Sequence, residues 1–189
     1  MPSQLAIRAT SELIDREGGE RYTNRAADRG GPTRWGITQP VARAYGYQGD
    51  MKVLPRETAE AIYAKNYWDL CKCDDIAKYS EELAIYVFDY AVNSGAGTAA
   101  LELQGLLNVF NNRQKLYPDF VPAPNIGPKT LSTLGLYAKV RDISVLTDSF
   151  NSMRKAFLLN LAKKSEDQEE NVYGWVTRVI NLAKHVGVK

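Results

Sequence analysis

The chain has 189 residues, 44% of them hydrophobic and 24% charged, with a formal net charge of +2. That is enough chain to bury a core without a metal or disulfide staple, and the balance is that of a globular protein rather than a disordered or fibrous one. So small a net charge gives no electrostatic case for nucleic acid as a partner, and one histidine with two cysteines, Cys71 and Cys73, makes no zinc-ligand pattern.

In chain order, Ser3 caps a first helix whose apolar positions include Leu5, Ala9, Leu13 and Ile14, and Gly18-Gly19 ends it. From Glu20 to Thr38 the sequence carries Gly30-Gly31-Pro32 with Tyr22, Trp35 and Ile37 on the flanks, which predicts a short β-hairpin or irregular β-loop. One helix begins near Pro40 and another near Pro55, running through Ile62 and Tyr63 toward Trp68. A third starts around Ser80, with Leu83, Val87, Tyr90 and Ala91 as its stripe and Gly95 past its end. Thr98 is the expected cap of the next, which carries Leu103, Leu106, Leu107 and Phe110. Residues 117–128 hold four prolines and read as a loop. Ile143, Leu146, Phe150, Met153, Phe157 and Leu161 mark a long helix. After a polar turn at 165–170, Val172, Trp175, Val176, Val179, Ile180 and Ala183 mark the last. The expected class is mainly α, with a small β-hairpin near the N-terminus.

The most informative side chain is Glu17. Ala9, Leu13 and Glu17 are spaced by four and Ile14 lies three before Glu17, so a continuing helix puts the carboxyl on the apolar face. Desolvation there, together with the negative end of the helix dipole, would favour the protonated form that a general acid needs. The alternative is a helix-terminal Glu turned to solvent. Gly18-Gly19 either stops the helix or lets a bulky ligand approach the backbone beside that carboxyl. Within the β-loop, Asp28, Thr33, Tyr22 and Asn24 are candidate partners. Glycoside hydrolysis pairs a protonated acid with a second polar group that activates water or stabilises the oxocarbenium ion. Asp28 could equally be a turn former before Gly30-Gly31. Asn93 can bind a sugar or a water, or cap its own helix. Trp35, Tyr67 and Trp68 can stack on sugars or fill a core. Trp175, in an apolar stripe, reads as structural, and His185 is given no role.

The run Glu17-Gly18-Gly19, then Asp28-Arg29-Gly30-Gly31-Pro32-Thr33-Arg34-Trp35-Gly36-Ile37-Thr38, resembles the signature of the family 108 glycoside hydrolases, N-acetylmuramidases found largely as phage endolysins and prophage products. Phe88-Asp89-Tyr90-Ala91-Val92-Asn93-Ser94-Gly95 resembles that family's Asp-x-x-x-Asn-x-Gly stretch. Ile126-Gly127-Pro128-Lys129-Thr130 and Gly174-Trp175 with Arg178 resemble its C-terminal region, a predicted peptidoglycan-binding domain. The resemblance implies a lysozyme-like fold and peptidoglycan as substrate. It also implies Glu17 as catalytic acid; the reading of the residues themselves adds Asp28 and Thr33 as further catalytic candidates and Tyr22, Trp35 and Asn93 as substrate-binding ones. Ten residues separate Glu17 from Asp28 and four separate Asp28 from Thr33, a spacing that departs from the phage-type lysozymes.

The expected division is a catalytic domain at 1–95 and a helical peptidoglycan-binding region at 96–189 packed on it. The first span carries 12 Lys/Arg against 14 Asp/Glu and the second 12 against 8, so the second is the more basic. A mildly basic surface suits an anionic wall polymer and suits solubility equally. No metal or organic cofactor is implied, and a monomer is expected. Free thiols point to synthesis in a reducing compartment. No secretion signal or membrane-length apolar run is recognisable, so an enzyme made in the host cytoplasm and acting on the cell wall would need a companion pore protein, a holin. The rival readings are a lytic transglycosylase and a non-catalytic wall-binding protein.

Overall fold

The computed structural model describes residues 2–17, 19–24 and 31–187. The fold is mainly α with one small antiparallel sheet, as expected, and it divides into two compact units, residues 1–70 and 71–189.

In the first unit, α1 (Gln4–Arg16) begins where Ser3 Oγ accepts the Ala6 N–H at 3.1 Å. Ala6, Ala9, Leu13 and Ile14 form its buried face. Its end is closed by Gly19, at φ +60°, whose N–H returns to Ile14 O at 3.0 Å in the manner of a Schellman bond. Three two-residue strands follow, β1 (Tyr22–Thr23), β2 (Thr33–Arg34) and β3 (Ile37–Thr38), in that order across the sheet. Tyr22 pairs with Arg34, Thr23 with Thr33, and Arg34 with Ile37.

The β2–β3 connection is Trp35-Gly36, with φ of +56° and +75°. Two positive φ values in a two-residue loop are the requirement of a type I′ hairpin, whose twist matches that of its strands. A tryptophan in that conformation is held from outside. Its indole N–H donates to Leu54 O at 2.8 Å, and its carbonyl accepts the Tyr63 hydroxyl at 3.2 Å. Gly36 is costly to replace, because of its positive φ and because a Cβ there would lie 2.5 Å from Tyr63 Oη, which would have to shift.

Helices α2 (Gln39–Tyr45) and α3 (Arg56–Tyr63) complete the unit, and α3 passes into a π-helical turn, Ala64–Trp68. Arg56 ties α3 to α1: its guanidinium pairs with Asp15 at 2.8 Å and Glu60 at 3.0 Å and donates to Ser11 Oγ at 2.7 Å.

The second unit is helical among its described residues: α4 (Cys73–Ala77), α5 (Glu81–Ser94), α6 (Ala96–Val109), α7 (Pro128–Val140), α8 (Ile143–Lys164) and α9 (Glu169–Gly187). Ser80 caps α5 as the sequence predicts, its Oγ accepting the Leu83 N–H at 3.0 Å. Every residue from Leu83 to Ala91 is buried, so α5 has no solvent face over that stretch, because α4, α6 and α8 all pack on it.

Three local expectations change. Helix α6 starts at Ala96, with Gly95 rather than Thr98 in the capping position. Helix α7 was not expected, since its buried positions include Thr130 and Thr133 and the apolar rhythm is hidden; Pro128 at its first turn is the start signal. Short α4 is likewise an addition. The proline-rich loop makes one short internal bond, Asn125 N–H to Ala123 O at 2.7 Å, and amide side chains of α6 bond much of the rest. Gln104 Nε2 donates to Ala123 O at 3.0 Å and Asn125 O at 2.9 Å, and Asn108 Nδ2 donates to Phe120 O at 2.8 Å.

Cys71 and Cys73 are buried and form no disulfide. Burial pushes the Cys71 thiol up to about 11. Among the described residues no helix is long and apolar enough to cross a membrane.

Candidate functional site

Glu17 is the C-cap of α1, with φ −79° and ψ 9°, and it is exposed. Of the two readings open from the sequence, the solvent-facing one is observed: Glu17 keeps the helical phase of Ala9 and Leu13 but stands at the last position of the helix, where the residue is exposed. The backbone at this point is nevertheless held: Glu17 N–H donates to Leu13 O at 3.0 Å, beside the Gly19 bond to Ile14. The result is an exposed residue at a fixed point of the chain.

Of the other candidates in this unit, Asp28 lies outside the described residues. Thr33 is on β2, and its hydroxyl donates to Gly31 O at 3.0 Å. That fixes where the oxygen points and leaves its lone pairs for a donor such as water. Tyr22 is half-buried on β1 and Asn24 is exposed just beyond it. The β1–β2 pairing therefore brings Tyr22 and Thr33 into one sheet. Trp35 is 8% exposed, its N–H is bonded, and the Arg34 and Arg56 guanidiniums lie 5.5 and 5.7 Å from its ring centre. Trp68 is fully buried. Both tryptophans are built into the core of the unit. Arg34 also pairs with Glu20.

The second unit holds a cluster that sequence reasoning did not assemble. Asp89, on α5, is fully buried. Its carboxylate pairs with the Arg154 guanidinium of α8 and, at 3.0 Å, with Arg178 of α9. Arg154 is 1% exposed and also lies 5.6 Å from the Tyr90 ring centre. Burial pulls its guanidinium below the usual arginine range, and the Asp89 carboxylate opposes that pull. Asn93 is exposed one turn after Asp89. Its Nδ2 donates to Asp89 O at 2.5 Å and to Asp89 Oδ2 at 3.3 Å, so the amide nitrogen is turned back onto the helix.

The signal for this cluster was in the sequence. Asp89 is the one charged residue in a buried nine-residue run, and a buried carboxylate requires a cation. Nothing in the spacing says which arginines, from α8 and α9, would answer it.

Against this geometry, residues 10–95 match the family model described as Glycosyl hydrolase 108, and residues 98–180 match that described as Predicted Peptidoglycan domain. Among solved structures, the chain is similar to Brucella abortus SagA, with a TM-score of 0.65 and 24% identity over 96% of this chain and 92% of that one. That likeness establishes a shared fold. No curated protein matches the sequence.

Proposed function

Residues 10–95 belong to the glycosyl hydrolase 108 family and residues 98–180 to the predicted peptidoglycan domain family, and from that premise we propose that the protein is an N-acetylmuramidase. It cleaves the β-1,4 bond between N-acetylmuramic acid and N-acetylglucosamine, with Glu17 as general acid. The observation that carries the reading is the position of Glu17: an exposed residue, on a backbone fixed by the α1 end, within the matched segment.

In the proposed reaction Glu17 protonates the glycosidic oxygen as the sugar ring gains oxocarbenium character. A water attacks the opposite face, activated by Asp28 or held by an acceptor. Thr33 suits the second role, because its hydroxyl donates to Gly31 O and its oxygen can accept a hydrogen bond from the water, whose proton passes to solvent as it adds. Asn93 is the alternative holder. The region from 96 onward serves to grip the polymer. The biological setting we propose is host lysis by a phage or prophage enzyme, with a holin giving access to the wall.

The test is turbidity loss of purified walls with wild type and Glu17→Gln, followed by mass spectrometry of the fragments. Reducing muramic ends are expected. Anhydro-muramic ends would assign a lytic transglycosylase, and wild type that binds walls without releasing fragments would make it a binding protein.

A further inference from the structure

The Asp89 cluster borders a cavity of about 140 Å³ in the second unit, lined by Asn93, Ser94, Arg154, Leu158, Leu161, Trp175 and Arg178. Arg154 lines it with unused capacity. Its Nη2 is taken by Asp89, while Nε and Nη1 have no hydrogen-bond partner among the described residues, although the side chain is 1% exposed. Beyond its pair with Asp89, this buried guanidinium beside a cavity has two donors without an acceptor, and a carboxylate is the acceptor whose two oxygens suit a guanidinium.

The remaining lining narrows the class of anion. Leu158, Leu161 and Trp175 give an apolar flank, which suits alkyl carbons and not an inorganic ion. A cavity of this order holds a molecule about the size of benzene. It is too small for a disaccharide and large enough for a carboxylate with a few carbons behind it. Asn93 and Leu161 are exposed, so the cavity is reached from solvent.

We propose that this cavity binds a small alkyl carboxylate of peptidoglycan, with Arg154 and Arg178 on the acid and Trp175 against its carbons. The proposal rests on the reading of the chain as a peptidoglycan hydrolase, and it assigns one contact to the second unit. Of the polymer's carboxylates, the two at chain ends fit a cavity of this size: the terminal D-alanine of a stem peptide, and the lactyl acid of a muramic residue that has lost its peptide.

The test uses the full-length Glu17→Gln chain and NMR of its indole N–H signals. The three tryptophans are Trp35, Trp68 and Trp175, and Trp35 and Trp68, outside the cavity, serve as internal references. N-acetyl-D-alanine, N-acetylmuramic acid and N-acetyl-D-alaninamide are titrated in turn. A saturable shift of Trp175 is expected with at least one acid, with the amide weaker by about tenfold or more; which acid is tighter identifies the source. Arg178→Gln, at a partly exposed position, should erase the preference for acid over amide, and Leu161→Phe should block binding by filling the mouth. Equal binding of acid and amide, or a Trp175 signal unmoved by both acids up to about 50 mM (a ceiling of weak affinity), would overturn the proposal. Wall hydrolysis by the otherwise wild-type chain is measured in parallel. Hydrolysis without acid preference removes this site alone, whereas acid preference without hydrolysis removes the enzymatic reading alone.

Discussion

The two units each carry a carboxylate within the stretch that matches the glycosyl hydrolase model, and the two are handled in opposite ways. Glu17 stands exposed at the end of a helix, its backbone fixed. Asp89 is fully buried in the middle of α5 and held by two arginines and an asparagine. A carboxyl that must exchange a proton with substrate has to be reachable. A carboxylate locked between guanidiniums cannot be protonated without leaving buried cations unpaired, so its value is in holding helices together. Proximity to a family motif does not separate these roles; burial does.

That contrast predicts a double dissociation. Glu17→Gln keeps shape and removes the transferable proton, so wall lysis should fall by at least about 10²-fold while thermal unfolding stays at the wild-type midpoint. A folded Glu17→Gln enzyme with near-normal lysis would end the assignment. Asp28→Asn comes next within the same unit. If Asp28 activates water, turnover should fall by at least about tenfold with wall binding intact, since the interaction matters in the transition state. Retention of more than about a third of turnover would pass the role to Thr33 or Asn93.

The reverse case is Asp89→Asn, which leaves Arg154 buried without its anion. Urea unfolding should report a loss of about 3–5 kcal/mol; a loss under about 1 kcal/mol would mean that the cluster is not structural. Gly36→Ala tests the first unit's own rigidity. The positive φ and the Tyr63 hydroxyl both oppose a methyl group there, and a loss of about 1–3 kcal/mol is expected by the same measurement.

The smallest effect belongs to Glu102, half-buried on α6, whose carboxyl is pushed upward by desolvation. Because the folded state then holds its proton to higher pH than the unfolded chain does, stability from this group is full at acid pH and declines as pH rises past the ordinary carboxylate range. Glu102→Gln should flatten the stability–pH curve in that window and raise the neutral-pH midpoint slightly. An unchanged curve would show that Glu102 is solvated in the native state.

How much of this was legible beforehand differs by kind of feature. Ser3 and Ser80 were readable as caps because a hydroxyl three residues before a helical N–H has one obvious use. The mainly α class followed from strong apolar stripes. Helix α7 escaped because threonines fill buried positions in it, and the full burial of α5 escaped because a stripe cannot announce that three helices will surround it. For Glu17, spacing placed the residue correctly at the end of α1, but helical phase does not say what covers a helix's last turn, so it could not separate a buried residue from an exposed one. The Arg154–Asp89–Arg178 cluster joins positions 65 and 89 residues apart in sequence, a distance at which local pattern carries no information.

Cys71 and Cys73 bear on where such a chain can survive. Only a thiolate attacks a disulfide or a peroxide, and a thiol titrating at about 11 leaves roughly one molecule in 10⁴ ionised at pH 7. Cys71 thus behaves as a small apolar side chain, and Cys73 is buried like it. Such burial is expected to keep the native chain's thiols reduced in an oxidising milieu, which thiol labelling of the folded protein against the urea-unfolded one checks.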